Sequence, residues 1–145
     1  MKVEANMKAP DFEALDQEGK PHKLADYAGK YVLLYFYPKD DTPGCTVEAC
    51  SIRDNYGELK KHLEIIGVSA DTEASHKKFA QKYNLPFTLL ADADKKIISA
   101  YGADGVIMKK RVSFLIGPEG IIVKVYEKVV PADHVRQILA DMQAR

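Results

Sequence analysis

An α/β fold, with a central mixed β-sheet flanked by helices, is the architecture this sequence predicts, and three observations carry it. Apolar runs of strand length alternate with segments of helical periodicity. The run "YVLLYFY" (31–37) is apolar or aromatic at every position, as a strand covered on both faces must be. Near the other end, "RVSFLI" (111–116) and "IIVKVYE" (121–127) are separated only by "GPEG", which turns one strand back on the next.

Taken in order, "DFEALDQEGKPHKL" (11–24) reads as a short amino-terminal β-hairpin. The strand 31–37 stops at Pro38, and a helical pattern runs from near Pro43 to about Leu63. "LEIIGVSA" (63–70) is a second strand, "TEASHKKFAQKY" (72–83) a helix with Phe79 and Tyr83 one turn apart, and "FTLLAD" (87–92) a third strand. A short helix covers about 93–100, and the hairpin follows it. In "PADHVRQILADMQ" (131–143), Val135, Ile138, Leu139 and Met142 form one apolar stripe, and Pro131 suits a first helical position. Helices between the early strands make that part of the sheet parallel, and the hairpin makes the rest antiparallel. No internal repeat, low-complexity stretch or linker interrupts the chain, so a single domain spanning 1–145 is expected.

Composition narrows the function classes. A chain of 145 residues buries ~68–70% of its unfolded surface and needs no staples. Lys plus Arg equals Asp plus Glu at 21 each, which gives no electrostatic footprint for nucleic acid or an anionic membrane. The opening "MKVEANMKAPDFEALDQ" has no apolar run of signal-peptide length, and no window reaches the ~18 apolar residues of a membrane span. The default location is the cytoplasm. In that reducing setting, cysteines argue for reactivity over structural bridging.

Both cysteines, Cys45 and Cys50, lie in "DDTPGCTVEAC" (40–50). Thr42 followed by Pro43 is a helix-start signal, with Thr at the cap and Pro at the first helical position. Cys45 then falls in the first turn. Carried forward, Cys45, Ala49, Ile52, Tyr56 and Leu59 share one face, which should pack on the sheet, and Cys50 is turned about 140° away. Five residues of helix set the two Cα atoms roughly 8–9 Å apart, beyond the ~7 Å reach of a disulfide. A permanent bridge is incompatible with an intact helix. The spacing leaves two readings: thiols that meet only after local unwinding, or two idle buried thiols. Two thiols supply only part of a structural zinc's ligand set, and His22, His62, His76 and His134 are scattered, so no metal site is expected.

Unpaired amides at a helix start carry partial positive charge, which favours a thiolate and makes Cys45 the candidate nucleophile. Fast attack also needs donors for the charge that develops on the attacked atom, each contributing a factor of ~10²–10³. The amides of Gly44 and Cys45 are available, and Gly44 has no side chain to block a small substrate. Thr42 offers a hydroxyl, though by spacing it reads as a plain cap. A cation would complete the site, and spacing does not select one.

"YPKDDTPGCTVEAC" resembles the active-site segment of the peroxiredoxins, in which Pro, Thr and Cys recur at the spacing of Pro38, Thr42 and Cys45. The second cysteine within "GCTVEAC" is similar to the PrxQ branch, also called bacterioferritin comigratory protein. The resemblance extends over "APDFEALDQEG", "GVSAD" and "RVSFLIGPEG". It implies a thioredoxin-like fold, reduction of hydrogen peroxide or organic hydroperoxides, and no metal, haem or flavin cofactor. It makes Cys45 the peroxidatic residue and Cys50 the resolving one, joined after oxidation by an intramolecular disulfide. Pro38 would shield the thiolate, Gly44 would border the substrate, and Arg111 would be the missing cation. On the residues alone, Arg111 reads as part of the surface run "KKR" (109–111). Glu48 has two readings: a group that orients Arg111, or a solvated first-turn acid suited to the helix dipole. The implied reductant is thioredoxin or a glutaredoxin-like protein, and the expected state is a monomer. The same thiol switch would equally serve a redox sensor or holdase, from which only turnover distinguishes an enzyme.

Overall fold

The central strand is built from residues too apolar to face water on either side. In the computed structural model, which describes residues 3–103 and 111–145, β3 (Val32–Phe36) is buried at every position. Val32, Leu34 and Phe36 enter one core, while Leu33, Tyr35 and the following Tyr37 enter the other. That split is the period-2 alternation of a strand sandwiched between two layers. The remaining strands are β1 (Glu13–Asp16), β2 (Pro21–Lys23), β4 (Glu64–Ser69), β5 (Thr88–Ala91), β6 (Val112–Ile116) and β7 (Ile122–Tyr126). All seven form one sheet in the order β2-β1-β5-β4-β3-β6-β7.

β3, β4 and β5 run parallel to one another. β6 lies antiparallel to β3, and β7 antiparallel to β6. The amino-terminal hairpin forms as expected, and β1 also joins β5, so it extends the main sheet. The fold is the thioredoxin-like one, a mixed sheet with helices on its faces.

The helices are α1 (Pro43–Asp54), α2 (Tyr56–Leu59), α3 (Glu73–Tyr83), α4 (Lys96–Ala100) and α5 (His134–Gln143). The face expected to pack on the sheet does so: Cys45, Ala49, Ile52 and Leu59 are buried in one core with Tyr56 against it. The continuous helix expected from Pro43 to about Leu63 is, however, two helices broken at Asn55. Asn55 leaves helical geometry (φ −113°, ψ 11°), and its side-chain amide donates to the Ser51 carbonyl at 2.8 Å. Asn and Gly57 are both poor helix formers, which is a signal the sequence does carry.

Two further boundaries move for local reasons. Residues 131–133 form a turn before α5, so Pro131 precedes the helix and does not begin it. α4 starts late because Lys95 is left-handed (φ 62°), and the buried Asp92 carboxylate accepts from the amides of Ile97 and Ile98. Among the described residues, no helix is long and apolar enough to cross a membrane.

Candidate active site

Strand order brings the site together. In the antiparallel register of β3 and β6, Phe36 lies opposite Val112. Arg111, one step before Val112, therefore sits at the end of β3 from which the chain enters α1. Loop 38–42 makes that connection, with Pro38 half-buried at its start and Thr42 next to Pro43 at its end.

The arrangement concentrates positive charge on one sulfur. Cys45 lies in the first turn of α1 and is 2% exposed. Arg111 Nη1 donates to Cys45 Sγ at 3.1 Å and to Glu48 Oε1 at 3.2 Å. Helix start and guanidinium thus meet at Sγ, and both favour negative charge there. Burial pulls the Arg111 guanidinium down, but its contacts with Cys45 and Glu48 outweigh that, and the net direction is up. A Cβ at Gly44 would collide with Arg111 Nη2, so any side chain there would push the guanidinium off its present position.

Glu48 is not the solvated acid that the residues alone allowed. It is 1% exposed and paired with Arg111. Burial pushes its carboxyl up to about 7 against the opposing pull of Arg111, so it is poised between its two forms near neutrality. Among the described residues, its second oxygen, Oε2, is buried with no hydrogen-bond partner, and the hydroxyl of Tyr35 is in the same condition. Burial, together with the nearby Glu48 and Cys45 charges, holds the Tyr35 phenol well above its usual range. The Tyr35 ring stacks on Tyr37 (centroids 5.5 Å apart) and lies over Gly67, whose missing side chain makes room for it.

Thr42 departs from its expected role as a plain cap. Its backbone carbonyl accepts from Thr46 N, but its side chain makes no capping bond to the helix. Instead, the hydroxyl donates to the Lys39 carbonyl at 2.8 Å. Cys50 is half-buried on another face of the same helix, and both thiols are free. Of the run "KKR", Arg111 turns inward with a side chain only 13% exposed, and Lys109 and Lys110 lie outside the described residues.

Sequence reasoning missed a second polar cluster on the other side of loop 38–42. Asp40, Asp71 and His76 come within ligand distance of one another, although the histidines looked scattered along the chain. Asp40 accepts from the Tyr37 hydroxyl (2.6 Å) and the Ser75 hydroxyl (2.8 Å), and it faces His76 Nδ1 at 2.7 Å. Asp71 accepts from the Asp40 amide (2.8 Å) and the Ser69 hydroxyl (2.6 Å). The parallel pairing of β3 with β4 makes neighbours of the loops that follow them, and no sequence spacing encodes that.

Residues 5–125 match the AhpC/TSA family. The chain is 44% identical to the peroxiredoxin Bcp of Bacillus subtilis (strain 168), over 99% of this chain and 97% of that one. Among solved structures it resembles peroxidoxin BcpB of Mycobacterium tuberculosis, with a TM-score of 0.90, 31% identity, and 98% and 97% of the two chains covered. It also resembles the bacterioferritin comigratory protein of Xanthomonas campestris, solved as a trapped intermediate and ligand complex bearing on its alkyl peroxide reduction activity. That TM-score is 0.88, with 32% identity and 97% and 98% of the chains covered.

Proposed function

The chain belongs to the AhpC/TSA family and is a thiol-dependent peroxidase of the Bcp/peroxiredoxin Q type, and from that premise we propose that Cys45 is its peroxidatic residue and Cys50 its resolving one. The observation that carries this reading is the Arg111 guanidinium 3.1 Å from a buried sulfur at the start of a helix. A hydroperoxide enters over Gly44, with Pro38 shielding the sulfur from bulk water. Arg111 and the first-turn amides hold its oxygens where negative charge develops. The Thr42 hydroxyl, committed as a donor to Lys39 O, keeps its lone pairs for the O–H of the incoming peroxide.

The Cys45 thiolate attacks one peroxide oxygen, and the O–O bond breaks. The other oxygen leaves as water or alcohol with the proton of the attacked oxygen, and the sulfur, left as a sulfenate, takes one proton from solvent to become the sulfenic acid. The start of α1 then unwinds, the Cys50 thiolate attacks the sulfenic sulfur, and water departs as the S–S bond forms. An external dithiol, thioredoxin or a glutaredoxin-like protein, restores both thiols. Glu48 orients the guanidinium. The steps call on no metal, haem or flavin. The protein acts in the cytoplasm as a one-domain monomer.

The test counts thiols in the reduced protein after one equivalent of hydrogen peroxide. Wild type should lose both rapidly, and Cys50→Ser should turn over once and stall as a sulfenic acid. Rapid peroxide consumption by Cys45→Ser would overturn the assignment.

A further inference from the structure

The cluster around Asp40 lies outside the machinery just described, yet it is buried and chemically complete. His76 is fully buried, and its Nε2 faces the Leu90 carbonyl at 2.9 Å. A carbonyl only accepts, so Nε2 carries a hydrogen. Nδ1 faces an Asp40 oxygen at 2.7 Å, which requires one more proton between them. Asp40 and His76 therefore share a proton inside a cage closed by Tyr37, Ser75, Asp71 and Ser69. Both oxygens of the Asp40 carboxylate have donors, and a metal ion would have to displace several of these bonds.

The cage holds the middle of loop 38–42 through Asp40, in the segment that leads into Thr42 and Cys45. The next residue, Asp41, is left-handed (φ 57°), a conformation uncommon outside glycine but tolerated by Asp. Its carboxylate takes bonds from Lys82 Nζ and the Tyr83 hydroxyl, both at 2.8 Å. Loop 38–42 is thus fastened to both ends of α3. Arg53, near the far end of α1, donates to the Tyr83 carbonyl at 2.7 Å.

We propose that Asp40 and His76 are positioning residues that hold the start of α1 wound and so set how the Cys45 sulfenic acid divides between two fates. In one, Cys50 attacks it and water leaves as the disulfide forms. In the other, a second hydroperoxide transfers an oxygen to give the sulfinic acid, and an alcohol or water departs. The first fate needs the helix start open and the second needs it closed. Weakening the cage favours opening, because every bond lost from the closed form shifts the equilibrium toward the unwound one. The inference rests on the roles proposed above for Cys45 and Cys50.

The experiment titrates full-length wild type, Asp40→Asn and His76→Asn with hydrogen peroxide in the presence of a recycling dithiol, and weighs the products by intact mass. Amide exchange over residues 43–50 is followed in parallel. Both variants should need about tenfold more peroxide for half-conversion to the sulfinic acid, the shift expected from losing one hydrogen bond to a charged group. They should also exchange faster over 43–50 and react more slowly in the first oxidation. Ser75→Ala, which removes one donor and leaves the pair intact, should move the same readouts less, and it covers the case in which the larger changes prevent folding. Ile122→Val, in the core on the opposite side of the sheet from α1, should lower stability without moving the partition. Variants that fold but keep the wild-type partition and exchange would overturn the inference. Wild type that forms no disulfide at all would instead overturn the assignment of Cys45 and Cys50.

Discussion

The two polar clusters flanking loop 38–42 are equally buried and oppositely finished. Around Asp40, both carboxylate oxygens of the central residue have donors, and the cluster behaves as structure. Around Cys45, Arg111 serves two acceptors with one nitrogen, Glu48 Oε2 and the Tyr35 hydroxyl have no partner among the described residues, and the Glu48 carboxyl is pushed up to about 7. Unmatched polar groups in a low-dielectric interior are costly. The difference teaches that the reactive cluster is the one whose hydrogen-bonding capacity is left over.

The largest way to break the contrast is Arg111→Lys. A lysine ammonium is a flexible point charge and lacks the planar guanidinium that fixes Nη1 between Cys45 and Glu48 with Nη2 beside Gly44, and the second-order rate of Cys45 oxidation should fall by ~10²–10³. Stopped-flow loss of thiol checks this, and a near-wild-type rate would show that the guanidinium only neutralises Glu48.

Next in size is the pH dependence of Glu48. Its folded pKa is raised from 4.5 to about 7, so the folded protein binds more protons than the unfolded chain between those values. Stability contributed by the protonated carboxyl is full below about pH 4.5 and lost as pH rises through about 7, for a total of about 3 kcal/mol. Glu48→Gln should remove that loss, and its advantage over wild type in urea titrations should grow across this window and flatten above it. A difference independent of pH would place the wild-type carboxylate in one charge state throughout.

The smallest effects sharpen the comparison most. Tyr37→Phe removes a matched donor and leaves Asp40 Oδ1 short of a partner, which should cost about 1–3 kcal/mol. Tyr35→Phe, two residues along the same strand face, removes a hydroxyl that has nothing to bond, and should be neutral or stabilise by up to about 1 kcal/mol. Equal losses in the two melting curves would dissolve the distinction between the clusters.

What could be read in advance follows the range of each interaction along the chain. Pro43 and the spacing of Cys45, Ala49, Ile52 and Leu59 placed one sulfur in a first turn facing the sheet, because helix geometry is local. "YVLLYFY" and "GPEG" were enough for the central strand and the hairpin. Arg111 was another matter. Its approach to Cys45 depends on β6 pairing with β3 in a particular register, and only the resemblance to peroxiredoxins singled it out. Asp40 and His76 depend on β3 and β4 ending side by side, and neither residue type nor interval announced them. Thr42 shows the limit of a local rule: the Thr-Pro signal marked the helix start correctly, while the hydroxyl turned back to Lys39.

The interruption at Asn55 has a consequence for how far the catalytic cycle disturbs the molecule. A fray that begins at Pro43 travels along a ladder of backbone bonds, and that ladder ends at Asp54. Beyond it, Leu59 stays seated under the sheet in an element of its own. The unwinding proposed for the start of α1 would thus be confined to a small part of the chain and spare a larger one, with a firebreak one residue wide between them.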